Sequence, residues 1–166
     1  MMEAFSLIGG EKVKLFSITD IGRRREINED YLFTSDKPVG NLPNLFIVAD
    51  GMGGHNAGDY ASKHAVEKAV SAIEQYTDEY DAENILQKAI DDANTHINHI
   101  SRHSSKYKGM GTTFVAVTFD GCHVTVANVG DSRMYVVNDF ITQITKDHSL
   151  VEEMVDMGGI DREAAR

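Results

Sequence analysis

Three short stretches of the chain set carboxylates beside glycine, and these could house chemistry. Thr19–Asp30 (TDIGRRREINED) carries Asp20, Gly22, Arg25, Asn28, Glu29 and Asp30. Asp50-Gly51 closes the apolar run Leu45–Ala49 and precedes Gly53, Gly54 and Gly58. The third is Gly130-Asp131-Ser132-Arg133. Hard divalent cations take oxygen ligands from carboxylates, backbone carbonyls and water. A two-metal centre draws its carboxylates from separated segments, because one bridges the ions while others hold each of them. Asp30, Asp50 and Asp131 each fall where a strand should begin or end, which suits that arrangement. Taken singly, each reads first as a turn residue or a cap, and three at strand ends of one domain raise the metal reading. On the Leu45–Gly58 stretch alone, a metal carboxylate and a solvated corner residue both stand.

Arg23-Arg24-Arg25 is the densest basic run of an acidic chain. Arg23 and Arg24 read as a solvated loop face. A guanidinium near a metal centre would grip phosphate oxygens in its planar fork, and Arg25 is given that reading. Other chemistries find little support. Cys122 lies in the turn Asp120-Gly121-Cys122-His123, so a Cys–His nucleophile is not expected. His96, His99 and His103 share one helix face pointing away from the isoleucine stripe, which reads as solvated and not as zinc ligands. The glycine-rich loop lacks the Gly-Lys-Ser/Thr ending of a phosphate-binding P-loop, which disfavours a nucleotide site.

Elements must bring these loops together. Leu45–Ala49 has the pattern of a strand buried on both faces. Val13–Ile18 reads as an edge or half-buried strand and Tyr31–Thr34 as a further strand, with Lys37–Asn44 as a loop. Ala61, Ala65, Ala69, Ile73 and Tyr76 recur at helical spacing over Gly58–Tyr76. Asp81 can cap a second helix, Asp81–Ser105, on which Leu86, Ile90, Ala93, Ile97 and Ile100 form a stripe. Thr112–Phe119, His123–Val129, Arg133–Val137 and Phe140–Ile144 are short β-rich runs separated by Asp120-Gly121 and Asn138-Asp139, predicting an antiparallel meander. Ser149 opens a last helical segment stopped at Gly158-Gly159. Strands, a helix pair and a meander in series make an α+β layered domain.

Composition bounds the rest. The 166 residues suit one domain, with Met1–Gly10 as a tail and 11–166 as the domain. Sixteen basic against 26 acidic residues give a net charge of −10, which argues against nucleic acid and an anionic membrane surface. The single cysteine excludes an internal disulfide and fits a reducing compartment. With no membrane-length apolar run and no signal peptide at Met1–Gly10, a cytoplasmic location is expected.

TDIGRRREINED, VADGMGGHNAGDYAS, GMGTTFVAV, ANVGDSRMYVV and ITKDHSLVEEMV occur in the order and character of the bacterial metal-dependent, type 2C protein serine/threonine phosphatases, which the chain resembles over nearly its whole length. The resemblance implies a fold class: an α-β-β-α sandwich, with two antiparallel helices over antiparallel sheets. It implies hydrolysis of phosphoserine and phosphothreonine on proteins, with Mn2+ or Mg2+ as two ions and a third in bacterial members. It implies that Asp50 bridges two metals, Gly51 gives a backbone carbonyl, Glu29 and Asp30 hold metal-bound water, Arg25 grips the substrate phosphate, and Asp131 binds the third ion. Met52 stands where animal relatives place a histidine, which leaves the proton donor unassigned. Phosphoprotein substrates of bacterial serine/threonine kinases are the implied partners.

One departure matters. The family domain continues past the segment after Asp147-His148-Ser149, and its later strands bring two further aspartates to the metals; these are absent here. Residues 145–166 match the start of a mobile flap, and an end at Arg166 is what cleavage there would leave. The expectation is an N-terminal part of the domain, inactive alone and a weak metal binder, whose uncovered sheet edges pair with another copy of the chain. The alternative is a non-catalytic, phosphatase-like binding module.

Overall fold

The computed structural model describes residues 14–54, 57–121, 123–158 and 161. The expected tail Met1–Gly10, together with Cys122 and Gly159, lies outside the described residues. The first strand, β1 (Asp30–Ser35), and β2 (Leu45–Met52) pair antiparallel, with Ser35 opposite Leu45 and Asp30 opposite Asp50. The loop between them is closed by mutual backbone hydrogen bonds of 3.0 Å between Val39 and Leu42.

Two helices cover one face of this ladder. The first, α1 (Ala57–Gln75), buries Ala61, Ala65, Val66, Ala69 and Ile73. Small side chains let its axis approach the sheet closely. The second, α2 (Ala82–His103), starts where the Asp81 side chain accepts from the Asn84 amide at 2.9 Å, satisfying an orphan N–H of the first turn. Tyr60 near the start of α1 stacks on Tyr107, just past the end of α2, at 4.1 Å, so the two helices run antiparallel. Leu45, Ile47, Val66, Ile73, Ile85 and Leu86 fill the core between helices and sheet. Each such side chain stabilises the fold by roughly 1.5–3 kcal/mol relative to exposure.

Beyond the helices, β3 (Gly111–Thr112) and β4 (Phe114–Asp120) pair with β2, and β5 (His123–Val129) pairs with β4. The main sheet therefore runs β1-β2-β4-β5, with β3 beside the end of β2. A separate two-stranded hairpin follows, β6 (Tyr135–Val137) with β7 (Ile141–Gln143). A short helix, α3 (Leu150–Asp156), is capped by Ser149, whose side chain accepts from the Glu152 amide at 3.2 Å.

Four expectations need correction. Residues 14–18 form no strand; they are exposed, and Ser17 Oγ approaches Thr34 Oγ1 at 3.4 Å without a ladder. An edge strand exists only where a neighbour supplies its hydrogen bonds. Next, β2 is not buried equally on both faces: Leu45, Ile47 and Ala49 are buried, whereas Phe46 and Val48 are half-buried, because the helices cover one side. The meander is broken too, since Gly130–Arg133 carries the chain out of the main sheet before β6 begins. Finally, His96 is half-buried, next to Ala93 and Ile97 on the packed side of α2, so it does not lie on a solvated face.

Candidate metal centre

Register does what spacing alone could not. On β2 the odd-numbered residues lie under the helices, so Asp50 falls on the open face, directly across from Asp30. Asp50 is exposed, yet the strand ends around it withhold part of its hydration. This burial, joined by the Asp30 charge and hydrogen bonding and by the Asp131 charge, raises the Asp50 carboxyl above its usual range, with Arg25 opposing. Arg25 and Asp30 from one segment, and Asp131 from another, thus act on Asp50 in a third.

Thr113 sets the framework between two of those segments. It is buried at the break between β3 and β4. Its Oγ1 accepts from the Asp50 amide at 2.9 Å and lies 2.7 Å from Ser132 Oγ, while its own amide donates to the Asp50 carbonyl at 2.9 Å. Asp50 and the residue after Asp131 are therefore pinned to one side chain. The sequence offers little signal for this, because a threonine opening a strand reads as an ordinary β-former.

Arg25 and Glu29 engage each other: Arg25 Nη1 donates to Glu29 Oε2 at 3.1 Å. The second Glu29 oxygen lies against Gly58, where a Cβ would stand 2.3 Å from it, so Glu29 is turned toward the start of α1. Gly51 donates its amide to the Glu29 carbonyl at 3.0 Å and is packed so tightly that a Cβ would meet the Gly58 carbonyl oxygen at 1.9 Å. Asp20 instead accepts from the Gly22 amide at 2.7 Å and shapes a turn. Asn28 joins the loop to the strand, accepting from the Asp30 amide at 3.0 Å and donating to Thr19 at 2.8 Å. Met52 is exposed beside the site.

The donor chemistry fits a hard divalent cation. The carboxylates that raise the affinity of Asp50 for a proton are equally a field for a metal ion. The shell is partial, however: among the described residues, no three His, Cys, Asp or Glu side chains are grouped to hold an ion by themselves.

Residues 22–153 match the family model for protein phosphatase 2C. The chain belongs to the protein phosphatase 2C family. It is 44% identical over 154 residues to the serine/threonine phosphatase stp of Listeria innocua serovar 6a, covering 89% of this chain and 59% of that protein. The crystal structure of the serine/threonine phosphatase Stp1 from Staphylococcus aureus superposes with a TM-score of 0.77 at 38% identity, over 94% of this chain and 64% of that one. The catalytic domain of the serine/threonine phosphatase PstP, solved with two manganese ions, gives 0.71 at 34% identity, over 87% of this chain and 60% of that one. The α+β fold is thus that of the family, and the chain spans about 60% of the length of the Listeria relatives it matches.

Proposed function

We propose that this chain contributes the first part of a metal-dependent serine/threonine phosphatase site, acting on phosphoproteins of bacterial kinase signalling in the cytoplasm. The observation that carries this is the placement of Asp30 directly across from Asp50, with the residue after Asp131 tied to the same strand end through Thr113. Asp50 and Asp30, the Gly51 carbonyl and Asp131 would hold manganese or magnesium, with Glu29 in support. When bound, such ions supply Lewis-acid charge to phosphoryl oxygens and lower the pKa of water.

The chain's own residues have distinct tasks in that reading. Asp50, fixed through its backbone by Thr113, sets the spacing of the centre. Arg25 is exposed, so its guanidinium can leave Glu29 and grip the substrate phosphate in its planar fork. Backbone packing of Gly51 against Gly58 holds the Asp50 strand end against α1.

With a partial set of oxygen ligands, the chain alone binds divalent metal weakly and is inactive. Its β6–β7 hairpin, α3 and the residue that caps it expose the apolar side chains Phe140, Ile141, Leu150 and Met157, which suits self-association alongside the uncovered sheet edges. Manganese-dependent release of phosphate from a phosphothreonine peptide tests the reading. A form extended at its C-terminus to the length of the relatives should turn over; the 166-residue chain and the extended Asp50→Asn variant should not. Turnover by extended Asp50→Asn at the parent rate contradicts the assignment. An extended form with no turnover supports the binding-module reading instead.

A further inference from the structure

Asp131 lies between two residues that are each held from outside its loop. Ser132 is held by Thr113, 2.7 Å from its hydroxyl. Gly130 is held by His148 from both sides of its backbone: the Gly130 amide donates to His148 Nδ1 at 3.3 Å, and the His148 amide donates to the Gly130 carbonyl at 2.9 Å. Gly130 cannot be replaced by another anchor at that point. Its φ is +98°, and a Cβ there would stand 2.7 Å from Thr113 Cγ2.

His148 is itself fixed. Asp147, just before it, takes a two-pronged contact from Arg133, with Nε donating at 2.9 Å and Nη2 at 2.6 Å. That contact holds the Asp147 carboxyl below its usual range. Ser149, just after, caps α3. The Asn128 side chain donates to the Lys146 carbonyl at 2.9 Å, joining the same two segments one step earlier. The strand end bearing Asp131 and the segment entering α3 are thus stitched together, with the imidazole on the amide of the residue just before Asp131.

We propose that His148 is a positioning residue for Asp131: its unprotonated Nδ1, by accepting the Gly130 amide, holds the Asp131 carboxylate where it faces Asp50. This rests on reading Asp131 as a cation-holding carboxylate. Groups that orient a ligand from behind typically change metal affinity by about 10–100-fold when removed. The bond is to Nδ1, which is as many bonds from Cα as the Oδ1 of asparagine, whereas the Oε1 of glutamine lies one bond further out. Asparagine can therefore replace the acceptor and glutamine cannot.

The test uses the full 166-residue chain and manganese alone, read by NMR as paramagnetic broadening of the Asp131 amide during titration. Exchange of the Gly130 amide with solvent deuterium is the second readout, and protection of the Val117 amide in β4 reports that each variant is folded. His148→Gln should weaken manganese broadening at Asp131 by about tenfold and unprotect the Gly130 amide, while His148→Asn should stay within about twofold of the parent in both. Asp131→Asn separates the premise from the proposal. If Asp131→Asn weakens binding and His148→Gln does not, or if Asn fails as Gln does, the positioning role is wrong. If Asp131→Asn leaves broadening unchanged, the metal reading of Asp131 fails, and the proposal falls with it.

Discussion

Asp30 and Asp50 are direct cross-strand partners on β1 and β2, two carboxylates facing one another where a sheet normally places complementary groups. Like charges in that position are destabilising, by an amount comparable to the roughly 0.2–1 kcal/mol that favourable pairs contribute. Asparagine at either position would satisfy the strand end without repulsion, so the pair makes sense as a place for a cation.

Asp30→Asn should accordingly stabilise the metal-free chain, by up to about 1 kcal/mol in urea unfolding. The ladder itself is unaffected, because the Asp30 amide keeps its bond to Asn28. Manganese should erase the gain, since only the parent has the full carboxylate pair to bind it. A variant less stable than the parent without metal would show that the Asp30–Asp50 hydrogen bond outweighs the repulsion between the two carboxylates.

Gly51→Ala and Gly58→Ala should differ. The Gly51 Cβ would meet the Gly58 carbonyl at 1.9 Å, which is backbone and cannot yield, whereas the Gly58 Cβ would first meet the Glu29 carboxylate at 2.3 Å, which can rotate away. Overpacking costs about 1–3 kcal/mol, and Gly51→Ala should reach or exceed the top of that range in urea unfolding. Gly58→Ala should cost less and separate Glu29 from Arg25. Equal losses would contradict this packing.

His96 makes the stability of the helix pair sensitive to acid. Burial lowers its pKa, reinforced by Lys68 and His64 from α1 and by His99 on its own helix. The folded chain thus binds the proton less readily than the unfolded chain, so stability is greatest above the ordinary histidine pKa of about 6.5 and falls as pH drops below it. His96→Gln should flatten the decline in unfolding midpoint between pH 7.5 and pH 5. An unchanged slope would assign the acid sensitivity to other groups.

Arg25→Ala, in the extended form, should raise KM for a phosphothreonine peptide with little change in kcat, because its task is to hold substrate phosphate. A loss confined to kcat would place Arg25 at the reacting centre instead.

Local signals in the sequence carried well into the structure. The alanine stripe of α1, the Asp81 and Ser149 caps and the Asp120-Gly121 turn depend on neighbours a few residues away, and each forms as its residue types dictate. Long-range features did not carry so well. Whether residues 14–18 form a strand depends on a partner elsewhere, and whether β2 is covered on one face or two depends on layers that the run LFIVA cannot specify. At the site, Asp30, Asp50 and Asp131 are legible as carboxylates at strand ends. Thr113 and His148 are not, because their roles lie in hydrogen bonds across 63 and 18 residues of sequence separation.

The most direct test is a manganese titration followed at the Asp30 and Asp131 amides by paramagnetic broadening, in the parent chain and in Asp50→Asn. If Asp50 is the carboxylate around which the centre is built, both amides broaden together in the parent, and both lose that response in the variant while the β4 amides stay protected. Broadening in Asp50→Asn at the same manganese concentrations as in the parent would contradict a metal centre built on Asp50.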